Sequence, residues 1–272
     1  VSMRSFIFVC FCGLLLTACQ PALRKAEPAM LGFDVDSPTV LITGSNRGIG
    51  LGFARYYANE GWNVIATARN PAGAKELQDL AANNKAVVIE QLDVTNLRRI
   101  KELGAVYGTT RIDVLINNAA ILGDLEAQSF GSYDKELFDQ VMAVNVFGPM
   151  KMIEAFLPSI LLGEQKKIVT LSSGLGSLTL MGGMKPMAYY RISKAGMNMS
   201  MRGIRAELRS KGVIVALLAP GMVNTQLLAD SGYDGPSLTT LESAAAVAEN
   251  IEALTIKDRG KPINFNSKTL PW

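Results

Sequence analysis

Tyr190 and Lys194 bracket the run Tyr190-Arg191-Ile192-Ser193-Lys194. On a helix, residues four apart share one face, so this phenol and this ammonium become neighbours. A phenol titrates near pH 10, and a nearby positive charge favours its phenolate and lowers that value. Such a pair is a proton donor and acceptor usable near neutral pH, which suits reduction of a carbonyl or oxidation of an alcohol. Taken alone, the spacing equally describes an ordinary surface helix pair. Its weight comes from the segments that would position it.

Thr39-Val40-Leu41-Ile42 is a short apolar, β-branched run and reads as a buried strand. It leads into Thr43-Gly44-Ser45-Asn46-Arg47-Gly48-Ile49-Gly50, after which Ile49, Phe53, Tyr56 and Tyr57 mark one side of a helix. Strand, glycine-rich turn and helix in that order are the setting of a dinucleotide site. The glycines permit a tight turn and a close pyrophosphate, and the helix start supplies free N–H groups to its negative charge. The second strand, Asn63 to Thr67, is followed by Ala68 and Arg69, where an NAD site would carry an acidic residue for the ribose 2′-hydroxyl. Arg47 stands inside the glycine turn. Two guanidinium groups and no carboxylate match a 2′-phosphate, so NADP is expected over NAD.

The spacing Gly-x-x-x-Gly-x-Gly, together with Tyr190 and Lys194, resembles the short-chain dehydrogenase/reductase family. Further landmarks follow in order from about Pro38 to Trp272. They are Asp93-Val94 ending the third strand, Asn117-Asn118-Ala119-Ala120 at the end of the fourth and Asn145 within Val144-Asn145-Val146. Ser172-Ser173 follows the strand Ile168 to Leu171, and Pro220 to Thr225 follows the strand Val213 to Leu218. Ala120 replaces the glycine usual in the family's Asn-Asn-Ala-Gly. The Leu-Pro-Trp ending, the loop Asn46 to Gly52 and Ala66-Thr67-Ala68-Arg69 resemble the sniffer-like and C-factor-like carbonyl reductases.

The resemblance implies roles. Tyr190 protonates the carbonyl oxygen, Lys194 lowers the Tyr190 pKa and holds the nicotinamide ribose, and Asn145 holds a water on the proton path. Ser173 hydrogen-bonds the substrate oxygen. It stands further from Tyr190 than the family pattern has it, so Gly174 to Met187 carries an insertion; Ser172 and Ser177 remain alternatives. Tyr189 points off the face of Lys194, and its substitution should cost much less than that of Tyr190. The cofactor contacts are expected from Gly44, Ser45, Asn46, Arg47, Gly48, Ile49 and Gly50, then Arg69, Asp93, Val94, Asn117, Ala119, Pro220, Val223 and Thr225, with Tyr190 and Lys194. Substrate choice falls to Gln226–Thr240, a small lid, and to the insertion with Met181, Met184 and Met187, which suit an apolar carbonyl. The helices around 134–162 and 188–210 would pair subunits into a homodimer or homotetramer.

Strands alternating with helical patterns predict a single α/β domain over 37–272, a Rossmann-type doubly wound parallel sheet with helices on both faces. The net charge of +3 gives no argument for nucleic acid. The chain has 0 histidines, which removes histidine triads and histidine-based zinc sites, and no metal is expected. All 3 cysteines precede Gln20, so the domain has neither disulfide nor thiol nucleophile. Phe6 to Leu16, preceded by Arg4 and ending in Leu16-Thr17-Ala18-Cys19, reads as a lipoprotein signal over 1–19 with Cys19 lipidated and 20–36 as a linker. A translation start at Met30 would instead place the protein in the cytoplasm.

Three other functions compete. One is a membrane-anchored NAD(P)-binding scaffold without catalysis, against which the complete Asn145, serine, Tyr190 and Lys194 set argues. Another is a nucleotide-sugar isomerase or dehydratase, for which the tail after Thr225 is too short to form a substrate domain. The third is an alcohol dehydrogenase using the same site in the oxidative direction.

Overall fold

The computed structural model describes residues 32–182, 187–258 and 260–272. The signal-like segment, Cys19 and Met184 lie outside these residues. Seven strands form one parallel sheet in the order β3-β2-β1-β4-β5-β6-β7. They are β1 (Thr39–Ile42), β2 (Asn63–Ala68), β3 (Val87–Gln91), β4 (Val114–Asn117), β5 (Lys167–Leu171), β6 (Ile214–Ala219) and β7 (Ile263–Asn264). The sixth strand thus runs one residue later than the sequence pattern gives, and the third stops before Asp93.

The helices are α1 (Gly48–Asn59), α2 (Lys75–Asn83), α3 (Leu97–Val106), α4 (Lys135–Met142), α5 (Gly148–Leu162), α6 (Ala188–Leu208), α7 (Gln226–Asp230) and α8 (Thr240–Ala253). Strand side chains alternate between faces, and the core divides accordingly. Val40 and Ile42 join α1 and α8 residues such as Phe53 and Val247 in one layer. Leu41 and Ile65 join Phe156, Ile160 and Met197 from α5 and α6 in the other. Each fully buried large side chain contributes about 1.5–3 kcal/mol of apolar transfer. Phe33 belongs to this second layer, and Asn63 Oδ1 accepts from the Asp34 N–H at 3.0 Å. The packed domain therefore includes residues expected to be linker.

Strand order reverses between β1, paired with β2 on one side, and β4 on the other. Crossovers from β1 and β4 leave in opposite directions there, which opens a crevice at the carboxyl ends of the strands. Among the described residues no helix is long and apolar enough to cross a membrane.

Candidate active site

The crevice is a cleft of about 1250 Å³ lined from the glycine turn to Tyr190 and Lys194. That exceeds the usual volume for one small ligand, roughly 300–1000 Å³, and leaves room for a dinucleotide and a second molecule. At the glycine turn, Gly48 has φ +58°, a backbone region that disfavours side chains. A Cβ at Gly50 would lie 2.2 Å from Gly44 O. Arg47, the residue before α1, makes no side-chain cap, so the first N–H groups of this helix are free to meet an anion. The donor set fits a pyrophosphate.

Asn118 locks the turn. Its Nδ2 donates to Thr43 O at 2.8 Å and Gly44 O at 3.0 Å, while Thr43 Oγ1 accepts from the Asn118 and Ala119 N–H groups. Asn117 faces the other way: its Nδ2 donates to Thr170 Oγ1, and its Oδ1 has no partner among the described residues. Asn117 therefore does not line the cleft, although Asn118, Ala119 and Ala120 do. Ser45 is likewise buried, donating its hydroxyl to Ile42 O at 3.0 Å and its N–H to Thr67 O. It braces the turn from beneath.

Asn46, Arg47, Ile49, Arg69, Asp93, Val94, Pro220, Val223 and Thr225 all line the cleft. Neither the Arg47 nor the Arg69 guanidinium has a partner among the described residues. Asp93 Oδ1 accepts from Thr95, leaving Oδ2 without a bond among the described residues. Thr225 caps α7, its Oγ1 accepting from the Leu228 N–H.

At the other end, α6 brings Tyr190 and Lys194 to one face, with Lys194 Nζ 5.5 Å from the centre of the Tyr190 ring. Burial pushes the Tyr190 phenol up to about 12, against a smaller lowering from the neighbouring Ser173 hydroxyl. The expected depression by Lys194 is absent. Lys194 Nζ donates to Leu171 O at 2.8 Å, and burial brings its own pKa down to about 8. Two groups buried together each disfavour their charged forms, and here desolvation exceeds their mutual attraction.

The serines separate by partner. Ser172 Oγ donates to Asn198 Oδ1 at 2.7 Å, Ser177 Oγ accepts from the Leu180 N–H, and only Ser173 meets Tyr190. Asn145 sits in a π-helical turn, Ala143–Phe147, between α4 and α5. Its side chain exchanges bonds with Ile121 N and O at 2.9 Å and donates to Ser193 Oγ at 3.0 Å. Its side-chain amide is thus engaged by the protein and joins α6 to the loop after β4. Tyr189 points away, stacked edge-on against Phe138 at 5.3 Å.

Gln128 carries no sequence signal of its role. It is fully buried, and its Oε1 accepts from the Tyr189 and Tyr190 N–H groups at 3.1 and 3.2 Å. Its Nε2 donates to Leu122 O and Asp124 O. It thus caps α6 beside the phenol and ties it to the wall of Leu122, which packs with Met187 and Tyr190. No local pattern marks such a residue, since it lies in a loop far from the helix it caps.

Residues 38–234 match the short chain dehydrogenase family, and the chain belongs to it. It stands with the carbonyl reductases. NADPH-bound carbonyl reductase from chicken fatty liver is 31% identical, with a TM-score of 0.78 over 87% of this chain and 99% of that one. Carbonyl reductase Sniffer of D. melanogaster is 27% identical, with a TM-score of 0.79 over 87% and 100%. The 1-hydroxy-2-glutathionyl-2-methyl-3-butene dehydrogenase of Rhodococcus is 32% identical over 239 residues, 86% of this chain and 99% of its own.

Proposed function

We propose that the protein reduces a small-molecule aldehyde or ketone to its alcohol. The observation that carries this is the convergence of Ser173, Tyr190 and Lys194 on a cleft whose far end holds two arginines unpaired among the described residues. NADP is the cofactor, as in its carbonyl reductase neighbour crystallised with NADPH. Once bound, it supplies the hydride. Arg47 and Arg69 would hold its 2′-phosphate, and the start of α1 its pyrophosphate.

The chain's own residues do the rest. Ser173 and Tyr190 present two hydroxyls to one carbonyl oxygen. With its pKa raised, Tyr190 carries its proton at neutral pH, so the acid needed for reduction is loaded. The oxidative direction would need the phenolate and hence alkaline conditions. Lys194 remains mostly charged at neutral pH and supports negative charge developing on Tyr190. Leu122, Leu175, Met187 and Leu227 surround the reacting end with apolar surface and exclude water.

The test is turnover of NADPH with a panel of aldehydes and diketones, for wild type and Tyr190→Phe. The variant should lose at least about a thousandfold in kcat, within the range for a general acid and its electrostatics, while NADPH binds unchanged. Tyr189→Phe should stay within about twofold, as expected of a change outside the site. Wild-type binding of NADPH with no consumption on any carbonyl would overturn the reading.

A further inference from the structure

The cofactor end of the cleft holds a third guanidinium. Arg47 just before α1, and Leu51 and Arg55 one helical step apart within it, all line the cleft. Arg69, Asn70 and Gly73 form the opposite lip, and Glu76 stands in the first turn of α2. Arg55 differs from the other two arginines in having a partner. Its Nη2 lies 2.6 Å from Glu76 Oε2, and both side chains are well exposed.

We propose that Arg55 is a ligand of the cofactor's 2′-phosphate and that Glu76 is the restraint holding it until that phosphate arrives. The proposal rests on the NADP reading. An ion pair exposed to solvent contributes little and is easily exchanged. A phosphate monoester carries nearly two charges and offers three acceptor oxygens, so it competes well for a guanidinium that binds in a planar fork. Glu76 faces the same anion. Left in place it repels the 2′-phosphate, and it also occupies the positive end of α2, which would otherwise attract that phosphate. The pair therefore acts in opposite senses: Arg55 strengthens the grip on NADP, and Glu76 weakens it. NADH lacks the phosphate and should be indifferent to both.

The experiment uses the full chain and two fragments, adenosine 2′,5′-bisphosphate and adenosine 5′-monophosphate, as competitors of bound NADPH followed by fluorescence. Arg55→Gln should weaken the bisphosphate about tenfold, one charge-assisted contact's worth, and leave the monophosphate unchanged. Glu76→Gln should tighten the bisphosphate several-fold and again leave the monophosphate alone, and raising salt should narrow both differences. Equal weakening of both fragments by Arg55→Gln, or no change from either variant, would overturn the proposal and make the pair a plain link between α1 and α2. If wild type fails to prefer the bisphosphate, the NADP reading itself falls, which is a separate outcome.

Discussion

At the glycine-turn end of the cleft the protein presents main chain and positive charge unpaired among the described residues; at the tyrosine end it presents packed side chains, several of whose polar groups are already bonded within the protein. Around Gly44 to Gly50, the shape comes from backbone approach, braced by Asn118 and Ser45, while Arg47 and Arg69 have no partners among the described residues. Around Tyr190, the hydroxyls, amides and ammonium of Ser172, Asn145, Gln128 and Lys194 each have protein acceptors or donors. One end is built for an anion that brings its own charge. The other is built for a neutral group that must be held in a fixed geometry, where a small displacement of a reacting group is costly.

Gly50→Ala is the harshest way to break the first end. The added Cβ meets main chain at 2.2 Å, so the turn must move. Expected are a loss of about 3 kcal/mol or more in urea unfolding and a weakening of NADPH and NADH alike by at least about a hundredfold. Retained affinity for either cofactor would mean the turn does not shape the site.

Gln128→Ala breaks the second end without touching a reacting group. Two helix N–H groups and two carbonyls lose their partners, for about 2 kcal/mol of stability. The phenol loses its fixed position, and kcat should fall about tenfold with cofactor affinity unchanged. A matching loss in cofactor affinity would show that the two ends are not separate.

The smallest effect sharpens the contrast through pH. Lys194 has a pKa lowered to about 8 by burial, so between there and its ordinary value near 10.5 the unfolded chain binds the extra proton. Stability from this group therefore rises with pH across that window. Without cofactor, the wild type should gain on the order of 1–2 kcal/mol over Lys194→Met between about pH 8 and pH 10. An unchanged difference would show that Lys194 is better solvated than its surroundings imply.

Much of this was legible in the chain. Thr39–Ile42 announced itself by composition and Gly44 to Gly50 by spacing, and Tyr190 with Lys194 by helical period. These are local patterns, and local periodicity is what a sequence displays. The parity of Asn117 and Asn118 was not local. Successive strand residues face opposite sides, and which one reaches the cleft depends on the neighbouring strand's register. Ser45 failed for a similar reason, since its hydroxyl turned inward to the strand end. The Tyr190 pKa failed because charge proximity could be read from spacing, whereas desolvation depends on everything packed around it. Gln128 and the Arg55–Glu76 pair needed tertiary contacts outright.

The bond from Thr43 to Asn118 spans 75 residues. A chain emerging from the ribosome therefore completes its glycine turn well before the strand that locks it is made. Contacts of such sequence separation form late, after loop-closure entropy has been overcome. Until β4 docks beside β1, the turn is an unsupported loop with no claim on a nucleotide. Cofactor binding thus reports a nearly completed fold, and the cofactor, by binding that state alone, draws the final stage of folding forward.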